Sequence, residues 1–361
     1  MNDANELISF IASMSGEGNL RVEENLGEGY VRLRVSEAER RQAKHDIQHV
    51  EDIVIEMLRN ARDAGADKVY LATTKEEGVR TLLFLDNGSG VPQDMQERIF
   101  DARVTSKLES MKMDRWGVHG RGMALFSIKQ NTDEARVVTS GVDLGSAFKV
   151  CVATDRLGER ADQSSWPQAV KDEDGRYVCA RGPHNIIRAA CEFALEELRC
   201  CDVYLGSPSE IAATLYAHAS SRLDTSRLLF IDDECELPVI DRLGLASDAE
   251  DFIRICSGLG LEMSERTAHR ILSGQIKPVR GVTARLLRER DSTSHAPAPV
   301  DLAKDRRGLR IAKDDMAQFS RAVERDFNDL AARYYLNLCG DPKIRVSRDR
   351  ITVTFDLAKE E

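Results

Sequence analysis

The stretch IEMLRNARDAGADKVYL, residues 55–71, places three polar side chains on one face of a predicted helix. Glu56 and Asn60 are four residues apart, and Asn60 and Asp63 are three apart. On a helix all three side chains therefore point into one pocket. A carboxylate and an amide on the same face suit a metal ion and its water. The next two motifs can complete the same pocket, so the prediction of the fold starts from this stretch.

A second motif, LDNGSGVP at residues 85–92, follows an apolar segment that predicts a strand. Asp86 ends this strand, and Gly88 and Gly90 have no side chains. A flat ring could therefore approach the backbone while the carboxylate accepts a hydrogen bond from an exocyclic amine. The motif predicts a pocket that recognises adenine, although a DNGSG sequence alone is more often only a turn.

A third motif is rich in glycine and reads TSKLESMKMDRWGVHGRGMALFSIK, residues 105–129. Glycines that open a helix leave backbone N–H groups free for phosphate oxygens, and the helix dipole favours negative charge there. Two alternating, strand-like segments then follow around Gly145 and Ser146.

The order of these motifs resembles the GHKL superfamily, the ATP-binding fold of gyrase-type topoisomerases, heat-shock chaperones, sensor histidine kinases and MutL mismatch-repair proteins. The resemblance covers roughly residues 30–152. It implies an α/β fold, a Bergerat-type two-layer sandwich whose mixed, largely antiparallel sheet is covered on one face by helices. It also implies ATP and Mg²⁺ as ligands and a nucleotide-dependent homodimer.

The resemblance assigns the polar face of the first motif to catalysis. Glu56 would be the general base that activates water, and Asn60 would be the magnesium ligand. Asp63 would be a supporting polar residue near the metal. Without the other motifs, three such residues are more often only a solvated helix face.

The resemblance assigns the remaining motifs to the nucleotide. Asp86 would bind the adenine amino group, and Ser146 stands where many members have a threonine that helps to hold adenine through water. Two glycines would admit the adenine ring: Gly88 and Gly90. The lid over the phosphates would contain Gly117, Gly120 and Gly122. The candidates for a cation at the γ-phosphate are Lys107 and Arg121.

The reaction within this superfamily depends on the residue at position 56. Histidine kinases usually carry asparagine there, because they transfer phosphate to a histidine and need no base for water. Glu56 therefore favours hydrolysis. The DAGA run and the tripeptide Thr105–Lys107 are similar to MutL, whereas ERIF at Glu97–Phe100 followed by TSK is similar to the kinase lid segment. A histidine-kinase-related protein kinase is the less favoured alternative.

Composition indicates an intracellular protein with more than one domain. Of 361 residues, 42% are hydrophobic and 31% are charged. The start, MNDANELISF, lacks the regions of a signal peptide, and no apolar run approaches the roughly 18 residues of a membrane helix. We therefore expect cytoplasmic localisation and no membrane partner. The net charge of −10 argues against a surface that coats nucleic acid, but it allows a local basic patch.

We predict four regions along the chain. They are an ATP-binding domain (1–152), a mixed helical connecting region (153–245), a helix-turn-helix-like unit (246–291), and a linker with a long helix and a terminal β-hairpin (292–361). The long helix is predicted by apolar residues at three- and four-residue steps from Met316 onward.

The segment DFIRICSGLGLEMSERTAHRILSGQIKPVRGVTARLLRER, residues 251–290, predicts three short helices separated by glycines. It resembles helix-turn-helix DNA-binding domains, with Ser264–Leu272 as the helix that reads double-stranded DNA. Seven Arg or Lys against two acidic residues lie between positions 265 and 290. The candidate DNA contacts are Arg266, His269, Arg270 and Lys277. Such units also serve as packing or protein-interaction domains, and that alternative stays open.

The combined prediction is a magnesium-dependent ATPase that acts as a nucleotide-gated conformational switch. DNA is the candidate on which this switch acts. The main alternative is a regulator that binds ATP without hydrolysing it and uses the helix-turn-helix-like unit to bind an operator. Steady-state phosphate release separates these two functions.

Overall fold

The computed structural model describes residues 22–106, 112–114, 117–119, 122–160, 162–198, 200–223, 233–287, 313–331, 336–340, 342–346 and 351–359. The chain forms two compact units, Met1–Arg288 and Glu289–Glu361. No described helix is both long enough and apolar enough to cross a bilayer.

The described part of the first unit contains twelve strands and seven α-helices. The strands are β1 (Val22–Gly27), β2 (Tyr30–Leu33), β3 (Lys68–Glu76), β4 (Val79–Asp86), β5 (Val104–Thr105), β6 (Lys112–Asp114), β7 (Gly117–His119), β8 (Glu134–Ser140), β9 (Ser146–Ala153), β10 (Gln168–Lys171), β11 (Tyr177–Arg181) and β12 (Asp202–Gly206). The helices are α1 (Glu37–Asp46), α2 (Val50–Asp63), α3 (Ala124–Asn131), α4 (Ile186–Glu196), α5 (Pro208–Arg222), α6 (Ala249–Gly258) and α7 (Glu265–Leu272).

The central sheet has five strands in the order β12-β3-β4-β9-β8. Strand β12 is parallel to β3, and the other three pairings are antiparallel. The turn between β3 and β4 contains only Glu77 and Gly78, both with positive φ. Two such residues give the turn a twist that matches the flanking strands. The sheet is therefore mixed and largely antiparallel, as predicted.

The strands alternate their side chains between two separate cores. On β3, Val69 and Leu71 lie in the first core, whereas Tyr70 and Ala72 lie in the second. This alternation follows from the two-residue period of a strand. Helices α2 and α4 cover the first face of the sheet. Helices α5, α6 and α7 cover the second face, together with the 3₁₀ helix Val239–Leu245.

The GHKL-type α/β sandwich is confirmed, but its sheet has helices on both faces instead of one. The second layer comes from residues beyond 152, and β12 from the same region extends the sheet. The predicted boundary at residue 152 therefore does not separate compact units, since Met1–Arg288 form one unit. The sequence pattern could not predict the second helical layer. A strand that is buried on both faces has no alternation of polar and apolar residues to show which face a helix covers.

The predicted unit at residues 246–291 also differs from the structure. Helices α6 and α7 contribute to the second core, whereas Val282 and Leu286, on the helical segment 282–287, belong to the first. Arg285 of that segment stacks over the Trp166 ring, 3.9 Å from its centroid. The three helices thus share no common core, and the region is not an independent three-helix unit.

The second unit is smaller. Its long helix α8 spans Lys313–Ala331, and its strands are β13 (Leu336–Leu338), β14 (Lys343–Val346), β15 (Ile351–Thr354) and β16 (Leu357–Lys359). Strands β14 and β15 pair in antiparallel fashion, which agrees with the predicted hairpin. Phe327 of α8 stacks on Phe355, with ring centroids 4.0 Å apart. The predicted linker at 291–300 lies outside the described residues.

Candidate functional site

Helix α2 is fixed at both ends before it presents its polar face. At its start, Asp52 Oδ2 accepts hydrogen bonds from the backbone N–H groups of Gln48 and His49, both at 2.9 Å. At its end, Gly65 has a φ of +77°, which allows the chain to leave the helix in the left-handed region. Between these ends an apolar face is buried against the sheet. The polar face of α2 is therefore fixed in position, and it lines a cavity.

One cavity of about 580 Å³ collects most of the predicted site residues. From α2 it is lined by Glu56, Asn60 and Asp63. From the strand ends and loops it is lined by Asp86, Gly90, Gly122 and Ser146. A cavity of this volume is within the usual range for small-molecule and cofactor sites. The structure thus brings together motifs that are up to 90 residues apart in the sequence, since Glu56 and Ser146 share one cavity.

Asp86 is a buried carboxylate of the cavity that is held through both of its oxygens. Its side chain is buried, at 3% exposed for the residue, and its two oxygens accept separate hydrogen bonds. Oδ1 accepts from the Gly88 N–H and Oδ2 from the Ser146 hydroxyl, both at 2.8 Å. Asp86 and Ser146 are direct partners across β4 and β9, which explains their contact. Each carboxylate oxygen still has acceptor capacity for a ligand N–H.

The glycines beside Asp86 are needed for close packing of the backbone. A Cβ on Gly88 would lie 2.9 Å from the Ala64 Cβ. Gly90 has a φ of +69°, and its Cβ would lie 1.9 Å from the Gly141 oxygen. These contacts explain why both positions require glycine for the local packing. Their predicted role in admitting the adenine ring stays a prediction.

Glu56 forms an ion pair that the sequence reading did not include. Its Oε1 lies 2.8 Å from Nη1 of Arg59, whose side chain is only 3% exposed. Both residues line the cavity. The i,i+3 spacing within the first motif is the signal that could have revealed this pair. Arg59 therefore restricts the position of the carboxylate predicted to act as the base.

Asn60 carries a buried donor that no described residue uses. Its Nδ2 has no hydrogen-bond partner among the described atoms. A buried amide group without a partner is costly, and a ligand in the cavity would remove that cost. This supports a ligand-binding role for Asn60.

Asp63 has a structural partner. Its Oδ1 accepts from Arg62 Nε at 2.9 Å, and Arg62 Nη1 donates to Glu197 at 3.0 Å. Glu197 caps the end of α4, so these contacts tie the end of α2 to α4. Asp63 also lines the cavity, which leaves its predicted supporting role open to test.

The predicted lid is described only in part. Gly117 lies in β7, which pairs with β6. Gly122 has a φ of +67° and lies against Val104, whose oxygen would be 2.8 Å from an added Cβ. Helix α3 begins directly after Met123, which provides no side-chain cap. The other predicted lid and cation residues lie outside the described part of the chain: Lys107, Gly120 and Arg121.

Sequence reasoning also missed residues that enter the cavity from outside the three motifs. Helix α1 contributes Glu39, Gln42 and Asp46, and the segment before the TSK tripeptide contributes Arg103. Helix α1 reaches the cavity only through tertiary packing, because it contacts α3. No local spacing rule predicts such a contact.

The candidate DNA residues lie away from this cavity. Arg266, His269, Arg270 and Lys277 are all exposed. On α7 the opposite side is buried through Ala268 and Ile271. An exposed basic face of this kind suits DNA, but it is also common on solvated helices, so the DNA role stays a prediction.

Known proteins resemble part of this chain. A family model described as "Histidine kinase-, DNA gyrase B-, and HSP90-like ATPase" matches residues 47–148. The DNA mismatch repair protein MutL of Brucella abortus (strain S19) is 34% identical over 112 residues, which are 31% of this chain and 18% of that protein. MutL of Thermodesulfovibrio yellowstonii is 31% identical over 107 residues, 29% of this chain and 19% of that protein. The chain thus spans less than a fifth of the length of these relatives.

A solved structure also matches, titled "Crystal structure of ShkA full-length in complex with AMPPNP". It is 14% identical and covers 77% of this chain and 64% of that chain, with a TM-score of 0.24. Such a low TM-score adds nothing to the assignment. The family match, however, falls on the segment that contributes most of the residues lining the cavity. Residues 47–148 thus match the ATP-binding domain of the GHKL superfamily.

Proposed function

We propose that this protein is a magnesium-dependent ATPase whose nucleotide state switches its conformation. The observation that carries the proposal is the shared cavity, in which the carboxylate of Glu56 and the amide of Asn60 accompany the buried Asp86–Ser146 pair. One part of this set can recognise a base, and the other part can act on phosphate and water. ATP hydrolysis uses both.

Adenine recognition is assigned to Asp86. A buried carboxylate that is already fixed by two donors has little freedom to move, so it presents its remaining acceptor sites in one direction. An exocyclic amine satisfies such an acceptor, whereas a carbonyl oxygen would be repelled. This chemistry favours adenine over guanine at that position.

Magnesium would be held through Asn60. A side-chain amide oxygen is a suitable ligand for Mg²⁺. The buried Nδ2 of the same amide could donate to a phosphate oxygen or to water in the cavity. No three His, Cys, Asp or Glu side chains converge on a metal site in the described chain. Most other ligands would therefore be phosphate oxygens and water, as is usual for Mg²⁺. When bound, the ion would offset the negative charge of the phosphates.

Glu56 is assigned as the general base. Its carboxylate lines the same cavity as Asn60, and its contact with Arg59 limits the rotamers that it can adopt. A base must lie within hydrogen-bond reach of the water from which it removes a proton. The contact with Arg59 would keep the Glu56 carboxylate within reach of that water. Hydrolysis then transfers a water proton to Glu56 while the water oxygen bonds to the terminal phosphorus, and the bond from that phosphorus to the bridging oxygen breaks, so that ADP leaves with the electron pair.

The test replaces Glu56 with Gln and compares nucleotide affinity with phosphate release. Affinity for ATP should stay close to that of the wild type, while turnover should fall about 10²–10⁴-fold, the usual contribution of a general base. Glu134→Gln is the matched control, because Glu134 is on β8, half exposed and paired with Arg136 outside the cavity. Turnover of the Glu56 variant at the wild-type rate would reject this assignment. A wild type that binds ATP but releases no phosphate would support the ATP-sensing regulator instead.

A relation to DNA is the second candidate, and it rests on the exposed basic side of α7. The MutL relatives are named as DNA mismatch repair proteins, which favours the same direction. If α7 contacts DNA, Arg266→Ala with Arg270→Ala should weaken duplex binding and reduce its salt dependence by about one log–log unit per lost contact. ATP hydrolysis without DNA should not change. Acid-labile phosphoprotein after incubation with labelled ATP would instead favour the kinase alternative.

We also propose that ATP promotes a homodimer. Molar mass in solution with and without a non-hydrolysable ATP analogue tests this directly. A mass that stays monomeric at saturating analogue would reject it.

A further inference from the structure

Arg103 occupies an unusual backbone position at the cavity. Its φ is +62°, in the left-handed region that residues other than glycine seldom adopt. Two backbone hydrogen bonds hold it there, since its N–H donates to Gly122 at 2.9 Å and its carbonyl accepts from Leu33 at 3.0 Å. Such conformations persist only where the surroundings fix them, and they are enriched at functional sites. Arg103 is thus fixed between β2 and the residue that ends the predicted lid.

The guanidinium of Arg103 is buried but only partly used. Its side chain is 10% exposed, whereas that of its partner Glu39 is 38% exposed. The guanidinium donates to Glu39 Oε1. Its Nε has no hydrogen-bond partner among the described residues. A guanidinium has five N–H donors, so this group retains capacity for a second acceptor.

Glu39 can release Arg103 without losing its own role. Its other oxygen, Oε2, accepts from the backbone N–H and the hydroxyl of Ser36, at 2.9 and 3.0 Å, and so caps α1. The hydrogen bond from the Ser36 backbone, with smaller help from Arg103, holds the pKa of Glu39 below its usual value. The cap therefore keeps Glu39 in place whether or not Arg103 stays bound to it.

The groups around Arg103 suit an anion. Of the described residues that line the cavity, two are cationic, Arg59 and Arg103, and Arg59 is paired with Glu56. Gly122, which accepts from the Arg103 backbone N–H, and the uncapped start of α3 also line the cavity. Backbone N–H groups at such a helix start attract negative charge. A cation and the N-terminal N–H groups of a helix thus line the same cavity.

We propose that Arg103 binds the terminal phosphate of ATP by exchanging its contact with Glu39 for a phosphate oxygen. The domain then distinguishes ATP from ADP by the terminal phosphate that only ATP carries. This inference rests on the proposed nucleotide site. It adds a described residue to a part of the site for which the sequence offered only Lys107 and Arg121.

The test measures the affinity of the full chain for a non-hydrolysable ATP analogue and for ADP by calorimetry. Arg103→Asn removes the guanidinium and retains a residue that tolerates the left-handed backbone. Affinity for the ATP analogue should fall about 10- to 100-fold, the range for a lost charge-assisted hydrogen bond, while affinity for ADP should stay within about twofold. Arg103→Lys keeps the charge and should recover part of the loss.

Two further variants separate phosphate binding from a structural role. Arg32→Asn is the matched control, because Arg32 lies on β2, pairs with Glu24 and Asp101, and does not line the cavity. It should leave both affinities unchanged. Glu39→Gln keeps an N3 side chain able to cap α1 but weakens the hold on Arg103, so affinity for the ATP analogue should equal or exceed that of the wild type.

Equal losses for both nucleotides in Arg103→Asn, or no loss for either, would overturn the role of Arg103. A lower melting temperature together with equal losses would assign it to structure alone. A wild-type chain that binds neither nucleotide would instead overturn the nucleotide site itself, and with it this inference.

Discussion

At Asp86, two hydrogen-bond donors offset the cost of burying a carboxylate. Burying a carboxylate is costly unless donors satisfy it, and here one donor comes from its own turn and another from the strand opposite. Gly145 makes this arrangement possible, because its Cβ would lie 2.1 Å from the Asp86 carbonyl oxygen. The carboxylate is therefore fixed by backbone geometry that only glycine allows.

Asp86→Asn should weaken ATP binding while the fold survives. The amide is close to the carboxylate in size, but its NH₂ group would face a donor or displace the adenine amine. We expect affinity for ATP and for ADP to fall together by about tenfold or more, since both carry the same base. Calorimetry measures both affinities. Asp143→Asn is the control, because Asp143 is exposed and asparagine tolerates its φ of +60°. Unchanged affinity in Asp86→Asn would move the adenine pocket elsewhere.

Arg59→Met should act on turnover more than on binding. Glu56 would lose the partner 2.8 Å away and sample more rotamers, so kcat should fall while the KM for ATP changes little. The unfolding free energy should fall by about 1–3 kcal/mol, because a buried charge-assisted hydrogen bond is removed. Arg59→Lys should restore part of kcat. Equal changes in kcat and KM for both variants would contradict a positioning role.

At the scale of elements, the sequence predicted α2 and the ends of β4 and β9 because local spacing determines them. Side chains at i, i+4 and i+7 must share a helix face, so Glu56, Asn60 and Asp63 could be placed together without a structure. The role of α1 and the left-handed Arg103 could not be predicted in this way. Both depend on contacts between segments far apart in sequence. The same limit explains why the second helical layer was assigned to separate regions.

A cluster of aromatic and titratable groups joins three elements of the second face. The Tyr70 hydroxyl and His218 Nδ1 are 2.8 Å apart, and Tyr70 stacks on Tyr204 at 4.8 Å between centroids. These residues come from β3, β12 and α5. Burial, followed by the charges of Arg222 and Lys68, lowers the pKa of His218 below its ordinary value of 6.5. The other charged or titratable groups around His218 are Tyr70, Tyr204 and Asp202.

This cluster predicts a pH dependence of stability. A histidine whose pKa is lower in the folded state binds fewer protons there than in the unfolded chain. Its contribution is therefore complete above a pH of about 6.5 and is lost as the pH falls toward the folded value. Denaturant unfolding at pH 7.5 and 5.5 should show that the advantage of the wild type over His218→Gln shrinks at the lower pH. His184→Gln, at an exposed position, should show no such change.

At the scale of the molecule, the nucleotide cavity and the second helical layer depend on the same sheet. Strand β4 sends Leu82 and Phe84 into the core beneath α2, and it sends Leu83 and Leu85 into the core beneath α5 and α6. The strand that ends at Asp86 is thus stabilised from both sides. A movement of the second layer would reach Asp86, the proposed adenine contact, through one strand.

The predicted ATP-binding domain should not fold when it is cut at residue 152. Such a cut removes β12, α4 and the whole second layer, and it exposes Tyr70, Leu83 and Leu85, which are at most 2% exposed in the structure. Each fully buried side chain of this size contributes about 1.5–3 kcal/mol, so these three alone represent roughly 5–9 kcal/mol. That is comparable to the net stability of a typical domain, about 5–15 kcal/mol. A fragment of residues 1–288 keeps the complete first unit and should unfold cooperatively and bind ATP. Circular dichroism melting and calorimetry of the two fragments decide the matter, and a 1–152 fragment that melts cooperatively and binds ATP would show that the second layer is dispensable.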